Sequence, residues 1–385
     1  MTPVYLLAGE HSGDVLGARL IAALRAARPD LTFAGVGGPR MRAEGLSSLF
    51  PMQDLAVMGL LEVLPQLRRL RARLAETAAD IAARRPGVLV TIDSPGFALR
   101  LLRRVSGLGV PRVHYVAPQA WAWREGRVRR FPGLWERLLC LLPFEPAFFA
   151  RHGLPAHFVG HPVLESGADQ GDAARFRARH GLDPAARMLV LMPGSRPGEA
   201  TRLLPVYGAT LALLAARFPG LVPVVPAPTA VAATVRLATE AWPVRPLIVT
   251  DIGEKHDAYA AAAAALTKSG TSTLELALAG VPMAVTYRVN PLTATAARAL
   301  IRVPHVAMVN LLAGRAVVPE LLQEACRPDR LAATLAELLD DAAAREAQQR
   351  AFRGVLASLA PPQGRPSEAA AAEVLAALDA AQLRP

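Results

Sequence analysis

The chain contains few cysteines, few aromatic residues and hardly any lysine. Its 385 residues include only two cysteines, Cys140 and Cys326, which argues against a disulfide framework and fits a reducing cytosol. Aromatic residues make up 5% of the chain, and no uncharged apolar run reaches the ~18 residues that a membrane-spanning helix requires. No basic stretch followed by an apolar one precedes the first strand-like run, so no signal peptide is predicted. We expect a globular cytoplasmic protein.

The charge balance is strongly basic, and nearly all of the positive charge comes from arginine. The chain has 43 lysines and arginines against 32 acidic residues, a formal net charge of +11. Such an excess indicates nucleic acid, an anionic membrane surface or an anionic substrate as a partner. The sequence has no zinc-finger spacing, no aromatic-rich RNP-like strand and no lysine-rich tail, so a nucleic-acid partner is not expected.

Strand-like and helix-like segments alternate along the chain in two successive runs. Hydrophobic residues make up 52% and charged residues 19%, a composition typical of a globular protein. The apolar run Val88–Ile92 shows no alternation, as expected of a parallel strand covered on both faces. These patterns predict an α/β fold with two Rossmann-like, doubly wound domains and a ligand between them, outside the carboxyl ends of the strands. The predicted domains are 1–165 and 172–360, joined by a polar linker and followed by a C-terminal helix in 361–385.

A glycine-containing turn between a predicted strand and a predicted helix is the central feature of the sequence. The turn Lys268–Thr273 follows an apolar run whose early part, Ala260–Ala265, fits either a helix or a strand. Backbone N–H groups, hydroxyls and a helix N-terminus make such a turn suited to a diphosphate, and Glu275 is placed to accept hydrogen bonds from a ribose diol. The alternative is an ordinary N-cap followed by an acidic first-turn residue. The predicted nucleotide contacts of this stretch are Gly270, Thr271, Ser272, Thr273 and Glu275.

Two further turns in the second half carry residues suited to a nucleotide. Ser195 and Arg196 follow the first strand of this half, in a Gly-Ser-Arg turn that can hold a phosphate by backbone N–H groups and guanidinium together. The alternative there is a glycine turn with a surface arginine. A later apolar turn is flanked by Asn310 on one side and by Gly314 and Arg315 on the other. The polar side chains of Asn310 and Arg315 are predicted to reach a diphosphate or a uracil.

Three strand ends in the first half carry candidate acceptor-binding and catalytic residues. Glu10 and Ser12 follow the first strand, where the alternative is that Ser12 caps the next helix and Asp14 faces its dipole. Asp93 ends the most apolar strand, so it is placed either to take a proton from an attacking hydroxyl or to cap the helix that follows. Gln119 lies in a tryptophan-rich loop and is predicted to contact the acceptor.

The sequence offers no recognisable metal-binding set. It has no CxxC and no DxD pair, which disfavours a transferase that relies on a divalent metal held by a DxD motif. We therefore expect neither a metal ion nor another cofactor.

Taken in order, the motifs closely resemble those of the lipid-A-disaccharide synthase family, inverting glycosyltransferases of the GT-B class with two Rossmann-like domains. The resemblance implies that UDP-2,3-diacylglucosamine and 2,3-diacylglucosamine 1-phosphate are joined into a β-1,6-linked disaccharide 1-phosphate, with release of UDP. The matching strings span about residues 8–325 and include AGEHSGD, GVGGPRM, AVMGLLEVLP, HYVAPQAWAWREGRV, LPFEPAFF, GHPV, LMPGSR, SGTSTLELALAGVPMAV, YRVNPLTA and NLLAGRAVVPELLQE.

The resemblance also assigns roles to individual residues. It implies that Asp93 is the catalytic aspartate, that Arg196 is the essential arginine of the PGSR turn and that Asn310 is the family's asparagine. Two positions depart from the family pattern. Gly96 stands where members often carry a second aspartate, which argues against a two-carboxylate mechanism, and Lys268 stands where a small residue is usual.

An apolar segment followed by arginines suggests contact with lipid. The segment Leu55–Leu64 is predicted to hold the acyl chains, and an apolar patch beside a basic one is typical of a peripheral protein on an anionic membrane, here the cytoplasmic face of the inner membrane. The alternative is a buried helix with a solvated arginine face. The resemblance further implies a homodimer with exchanged C-terminal segments. The predicted acyl contacts are Met58, Leu60 and Leu61, and the arginines that follow are Arg68, Arg69, Arg71 and Arg73.

Two other functions compete with this interpretation. The first is another GT-B enzyme acting on UDP-N-acetylglucosamine, such as a 2-epimerase or the undecaprenyl-linked muramyl-peptide transferase. The second is a lipid-binding or nucleotide-binding protein that has kept the fold without the chemistry. The apolar segment near residue 60 argues against the epimerase, and intact Asp93, Arg196 and Asn310 argue against the non-catalytic protein.

Overall fold

A computed structural model describes residues 3–55, 60–123, 125–290 and 303–383, without the side chains of residues 60–66 and 382. The chain divides into two compact units. The N-terminal unit comprises Met1–Pro162 and Leu359–Pro385, and the C-terminal unit comprises Val163–Ser358. The predicted domain boundary at 165 lies next to this division, and the predicted C-terminal helix belongs to the N-terminal unit.

Parallel strands form a single sheet in the described part of the N-terminal unit. Its strands are β1 (Pro3–Ala8), β2 (Thr32–Val36), β3 (Ser47–Ser48), β4 (Val88–Ile92), β5 (Arg112–Tyr115), β6 (Arg137–Cys140) and β7 (Ala156–Phe158). They lie in the order β3-β2-β1-β4-β5-β6-β7. The order reverses between β1 and β4, which is the point where a doubly wound sheet opens a crevice at its carboxyl edge.

The helices of the N-terminal unit connect these strands and cover the sheet. They are α1 (His11–Ala27), α2 (Pro39–Ala43), α3 (Leu60–Arg84), α4 (Pro95–Arg104) and α5 (Glu145–Ala150). Short 3-10 helices lie at Met52–Asp54, Ser106–Leu108, Glu125–Arg130 and Pro162–Glu165.

The C-terminal unit repeats the same strand order. Its strands are β8 (Met188–Met192), β9 (Val222–Pro226), β10 (Leu247–Val249), β11 (Ala264–Lys268), β12 (Met283–Tyr287) and β13 (Glu320–Leu322). All of their pairings in the described residues are parallel, in the order β10-β9-β8-β11-β12-β13. The reversal falls between β8 and β11, so the C-terminal unit has its own switch point.

The helices of the C-terminal unit are followed by one that returns to the other unit. Helix α14 (Pro366–Gln382) packs on the sheet of the N-terminal unit, where Val374 and Leu378 join the core of β1 and β4. The helices before it are α6 (Ala173–His180), α7 (Pro197–Arg217), α8 (Thr229–Thr239), α9 (Ile252–Ala261), α10 (Ser272–Leu278), α11 (Met308–Ala313), α12 (Pro328–Asp340) and α13 (Ala342–Ser358), with a 3-10 helix at Gln323–Ala325.

The central strands are buried on both faces. In β1, Val4 and Leu6 join one side of the core and Tyr5 and Leu7 join the other, and all four are 0% exposed. Successive side chains of a strand point to opposite faces, so a strand covered by helices on both sides is apolar throughout. Strand β4 shows the same arrangement, with Val88, Val90 and Ile92 on the first side and Leu89 on the other, all 0% exposed. This confirms the prediction made for β4 from its lack of alternation.

Most of the strands and helices that the sequence predicts are observed, several of them with different boundaries. The ambiguous run 260–265 contains both the end of α9 and the start of β11. The arginine-rich run 67–84 predicts a helix, and the observed helix α3 begins earlier, at Leu60. The predictions did not include α2, α5, α6, α9, α11, β3 and β13, and they included α4 only in the alternative in which Asp93 caps the following helix. A helix predicted over 292–302 lies outside the described residues.

Candidate active site

Strand register brings the two first-half motifs side by side. Ala8 of β1 pairs with Ile92 of β4, so the loop that begins at Gly9 lies beside the turn that begins at Asp93. The packing is tight, because a Cβ added to Gly9 would stand 2.5 Å from Oγ of Ser94. The Glu10 loop and Asp93 therefore meet at the switch point of this sheet.

The backbone at the end of β4 is strained. Asp93 and Ser94 both have positive φ, at 51° and 46°. Residues with side chains adopt this left-handed region at a cost, and such strain is concentrated at functional sites. Ser94, not Asp93, is the N-cap of α4. Asp93 is anchored through its backbone N–H, which donates to the Tyr115 carbonyl at 2.8 Å.

Burial raises the pKa of the Asp93 carboxyl above its ordinary value of 3.8, against a smaller opposing effect of a hydrogen bond from the Ser94 backbone. Its side chain is partly exposed at the carboxyl edge of the sheet. A carboxylate that is disfavoured by desolvation gains from taking up a proton, which is the property of a general base.

The other residues of the first loop have distinct roles. Glu10 is the N-cap of α1, and its carbonyl accepts from the backbone N–H of Asp14 at 3.0 Å. Ser12 is exposed two residues further on, so it does not cap this helix. Asp14 is fully buried and accepts three backbone N–H groups at the start of α2, from Gly38, Arg40 and Met41. It therefore holds the loop after β2, which differs from the dipole role considered for it.

The tryptophan-rich loop is fastened to the core by a buried carboxylate. Glu145 is 3% exposed and accepts from Nε1 of Trp121 at 2.9 Å and from the backbone N–H groups of Leu141 and Leu142 at 3.0 Å. Burial raises the pKa of Glu145 to about 7, although these donors act in the opposite direction. Trp121 thus packs on the core edge, while Gln119 on the same loop is exposed.

In the C-terminal unit, strand register brings two predicted nucleotide turns together. Thr267 of β11 pairs with Met192 of β8, so the turn containing Ser195 and Arg196 lies beside the turn that starts at Lys268. Ser195 and Arg196 are both exposed, and Arg196 is the N-cap of α7. These elements surround the switch point of the second sheet.

A carboxylate that the sequence interpretation missed lies between the two turns. Oε1 of Glu199 is 3.5 Å from Nη1 of Arg196 and 3.1 Å from Nζ of Lys268. Gly194 makes room for it, because a Cβ there would stand 2.7 Å from Oε2 of Glu199, and its φ of 111° favours glycine. The spacing of Arg196 and Glu199 at i and i+3 on a helix was the available signal.

The hydroxyls of the glycine-containing turn face mostly inward. Oγ1 of Thr273 donates to the Gly270 carbonyl at 2.8 Å, and Oγ of Ser272 donates to the Lys268 carbonyl at 3.3 Å. Thr271 is exposed, and Gly270 has a φ of 150°. The turn therefore closes on itself through its side chains, which leaves Thr271 and the backbone as its outward groups.

Glu275 has hydrogen-bond partners within the C-terminal unit. Its Oε2 accepts from Nζ of Lys255 at 2.9 Å, and the hydroxyl of Tyr259 lies 3.5 Å from the same oxygen. Tyr259 also donates to Sδ of Met192 at the end of β8. The predicted ribose contact is thus fixed in direction by Lys255, a residue that the sequence interpretation did not select.

Asn310 lies on helix α11 and not in a turn as predicted, and its buried amide points to the segment that leads into β13. Its Nδ2 donates to the Val318 carbonyl at 2.9 Å and to Oε1 of Glu320 at 2.7 Å. Its Oδ1 accepts from the backbone N–H groups of Val317 and Val318 at 2.7 and 2.9 Å. These four bonds use both hydrogens and both lone pairs of the amide, so a nucleotide contact by this side chain would require one of them to break.

The segment that Asn310 organises is joined to the glycine-containing turn. Glu320 also accepts from the backbone N–H groups of Val306 and Ala307 at 3.0 Å, ahead of α11. The Val306 carbonyl in turn accepts from Oγ of Ser269 at 2.8 Å. A continuous set of hydrogen bonds therefore runs from Asn310 to the turn. Gly314 ends α11 with a φ of 64°, and Arg315 after it is exposed.

The predicted lipid segment is only partly described. Met58 lies outside the described residues, and Leu60 and Leu61 belong to α3 without described side chains. Among the arginines that follow, Arg69 and Arg73 both pair with the buried Asp54. Arg68 and Arg71 are exposed.

The described residues contain neither a membrane-spanning helix nor a cluster of metal ligands. No helix there is long and apolar enough to cross a bilayer. No cluster of three or more histidines, cysteines and acidic residues suited to a metal ion occurs in the same part of the chain.

Solved structures with this fold include glycosyltransferases and UDP-sugar epimerases. The calicheamicin glycosyltransferase CalG4 aligns over 100% of both chains with a TM-score of 0.61 at 18% identity. A UDP-GlcNAc 2-epimerase from Neisseria meningitidis aligns over 97% of this chain and 98% of its own, with a TM-score of 0.62 at 11% identity. MurG of Acinetobacter baumannii aligns over 98% of this chain and 100% of its own, with a TM-score of 0.57 at 14% identity. At these identities the likeness shows the fold alone, so the rival activities share an architecture with this chain.

Two Rossmann-like units with polar turns at their switch points define a protein of the GT-B fold class. A family model described as lipid-A-disaccharide synthetase matches residues 4–374. Lipid-A-disaccharide synthase of Granulibacter bethesdensis is 63% identical, covering 97% of this chain and 98% of its own. The enzyme of the same name from Gluconobacter oxydans is 62% identical, covering 97% of this chain and 90% of its own. The chain belongs to the lipid-A-disaccharide synthase family.

Proposed function

We propose that the chain transfers 2,3-diacylglucosamine from UDP to the 6-hydroxyl of 2,3-diacylglucosamine 1-phosphate, with inversion at the anomeric carbon. The observation that carries this proposal is family membership over nearly the whole chain. The products are the β-1,6-linked disaccharide 1-phosphate and UDP. In the displacement, the acceptor oxygen forms a bond to the anomeric carbon while the bond to the UDP oxygen breaks and its electron pair leaves with UDP.

Asp93 is the general base of this reaction. Its position after β4, its raised pKa and the strained turn that holds it support the role. It accepts the proton of the acceptor 6-hydroxyl as the new bond forms. Glu10 and Ser12 on the neighbouring loop contact the acceptor sugar, and Gln119 contacts it from the exposed loop after β5. The absence of a carboxylate at Gly96 leaves Asp93 as the acid–base group of this turn.

The C-terminal unit binds the UDP donor. Arg196 and the backbone of the Ser195 turn contact the diphosphate, and the Gly270–Thr273 turn approaches it from β11. Glu275 accepts from the ribose diol, in the orientation set by Lys255. Arg315 and Gly314 border the nucleotide on the α11 side, and Asn310 fixes this border from within. Fixed donors aimed at the leaving diphosphate stabilise its developing charge.

The membrane contact and the dimer are part of the proposal. Exposed Arg68 and Arg71, next to the apolar segment with Met58, Leu60 and Leu61, support binding to the anionic cytoplasmic face of the inner membrane. Replacing both arginines by glutamine should weaken co-sedimentation of the protein with anionic vesicles. Vesicle binding that changes neither with salt concentration nor with these substitutions would contradict the proposed membrane contact. Helix α14 packs on the N-terminal unit from the far end of the chain, so a homodimer can exchange it without altering its contacts.

The decisive experiment is product analysis with the purified full chain, both lipid substrates and no added metal. We expect a disaccharide 1-phosphate by mass spectrometry, with one UDP released per product. Asp93→Ala should abolish turnover, and Arg196→Ala should lower kcat/KM by about a hundredfold or more. No disaccharide from substrates of several acyl lengths would contradict the proposed reaction, and turnover by Asp93→Ala near the wild-type rate would contradict the base.

A further inference from the structure

Both lysines of this chain lie at the same edge of the C-terminal unit. Lys255 and Lys268 are the only lysines in a sequence that carries 43 lysines and arginines. Lys255 pairs with Glu275 at 2.9 Å, and Lys268 pairs with Glu199 at 3.1 Å. Glu275 follows the glycine-containing turn, and Glu199 follows the turn after β8. The two lysines therefore form ion pairs with two different acidic residues at one predicted nucleotide site.

Lys268 lies over the glycine of its own turn. A Cβ built on Gly270 would stand 3.7 Å from Nζ of Lys268. The same ammonium lies 5.6 Å from the centre of the Tyr287 ring, which supports it from β12. The side chain of Lys268 is 19% exposed. Its charge is thus partly desolvated and confined to the surface on which a diphosphate would rest.

Lys268 and Arg196 share the carboxylate of Glu199. Arg196 approaches Oε1 of Glu199 at 3.5 Å and Lys268 approaches the same oxygen at 3.1 Å. The Glu199 side chain is only 15% exposed and is lodged against Gly194. Two cations around one anion leave a net charge of about +1 at the place where an anionic group is expected to bind, and partial burial reduces its screening.

We propose that Lys268 is a second diphosphate-binding cation beside Arg196, and that Glu199 is the positioning residue that holds both. The inference rests on the proposed UDP-dependent function and adds a residue to it. An ammonium is a compact point charge with three donors, so it can turn from Glu199 to a phosphate oxygen without moving the backbone. We expect Lys268 to contact the β-phosphate in particular. When the bond to the anomeric carbon breaks, the new negative charge develops on the β-phosphate of the leaving UDP.

The test compares the affinities of UDP and UMP for the full chain by titration calorimetry. The UDP-to-UMP affinity ratio should fall by about ten- to a hundredfold in Lys268→Met, since one charge-assisted contact to the β-phosphate is lost. Lys268→Arg keeps the charge and should keep most of the ratio. Lys255→Met is the matched control. It removes the other lysine at this edge and should weaken UDP and UMP alike without changing the ratio.

The outcomes separate this inference from the reaction. An unchanged ratio in Lys268→Met would overturn the role of Lys268, whether or not the wild type makes disaccharide. A lowered ratio together with no disaccharide from the wild type would support Lys268 and overturn the reaction. If Lys268→Met does not fold by circular dichroism, Lys268→Gln is measured in its place. Equal affinity of the wild type for UDP and UMP would overturn the inference directly.

Discussion

Nδ2 of Asn310 on helix α11 donates to Oε1 of Glu320 in β13 at 2.7 Å, and the asparagine is 1% exposed. The same carboxylate holds the backbone of Val306 and Ala307, and Val306 accepts from Ser269 in the predicted diphosphate turn. Asn310 is thus linked to the proposed nucleotide site through a chain of hydrogen bonds. It can influence that site by positioning a turn, without extending its own side chain toward the ligand.

Asn310→Ala should therefore damage the fold of the segment around Asn310 as well as the affinity for UDP. The substitution removes four hydrogen bonds and leaves their buried partner groups unpaired. We therefore expect a loss of about 2–3 kcal/mol in the free energy of unfolding. Urea unfolding followed by circular dichroism measures it. Gln363→Ala, at an exposed amide, is the control and should change stability by less than about 0.5 kcal/mol. Equal stability of Asn310→Ala and the wild type would refute the positioning role.

Asp93→Asn should make the protein more stable at neutral pH while removing its activity. The pKa of Asp93 is raised by burial, so the ionised form destabilises the fold, and its stabilising contribution is lost as the pH rises through the folded pKa. Asparagine carries no charge and tolerates a φ of 51°. We expect a higher Tm at pH 7, no such gain at pH 3, and a turnover reduced by about 10²–10⁴-fold.

The wild-type rate should show the same ionisation. Since the base must be deprotonated, kcat/KM should fall on the acid side at a pH above the ordinary aspartate value of 3.8. A fall in Tm on Asp93→Asn at pH 7, with retained turnover, would argue against both parts of this prediction.

Gly9→Ala should lower activity more than stability. The added methyl would stand 2.5 Å from Oγ and 3.1 Å from Cβ of Ser94, so the turn carrying Asp93 must shift. We expect about a tenfold or larger loss of kcat and about 1 kcal/mol of destabilisation. Gly107→Ala provides the comparison, because a Cβ there meets nothing within 4 Å. Equal activity of the two variants would show that the contact with Ser94 does not set the position of the base.

Glu145 should make the tryptophan-rich loop sensitive to pH. Its pKa is raised from 4.5 to about 7 by burial, so its stabilising contribution is complete below pH 4.5 and is lost as the pH rises through 7. In Glu145→Gln the Tm should vary less between pH 5 and pH 8 than in the wild type. Tryptophan fluorescence, which includes Trp121, follows the same change. Parallel Tm profiles for the two proteins would contradict this assignment.

The strand ends were predictable from sequence, but the directions of their side chains were not. An apolar run such as Val88–Ile92 followed by a polar turn predicts a parallel strand, and a doubly wound sheet places the carboxyl ends of its strands at one edge. Only the structure shows that β4 lies next to β1, which brings Glu10 beside Asp93. By contrast, Asn310 points inward because Glu320 and the backbone at Val317 and Val318 surround it. Such partners come together only when β13 has joined the sheet.

Long-range pairing also explains the carboxylates that sequence reasoning overlooked. Glu145 stands out only through its hydrogen bond from Trp121, which lies 24 residues earlier in the chain. Glu199 is recognisable from Arg196 on the same helix, yet its contact with Lys268 depends on β8 and β11 lying side by side. Local spacing predicts an ion pair along one helix, whereas a shared carboxylate between two turns follows from the topology of the sheet.

Helix α14 also has a consequence for biosynthesis. The core of the first unit to leave the ribosome includes Ala370, Val374 and Leu378, which are translated after the whole of the second unit. The sheet of the nascent N-terminal unit therefore keeps an exposed apolar face until residues 163–358 and helix α14 have been translated. During this interval it is exposed to chaperones and to other nascent copies, since exposed apolar surface on a folding intermediate favours association. Completion of the first unit thus depends on the synthesis of helix α14.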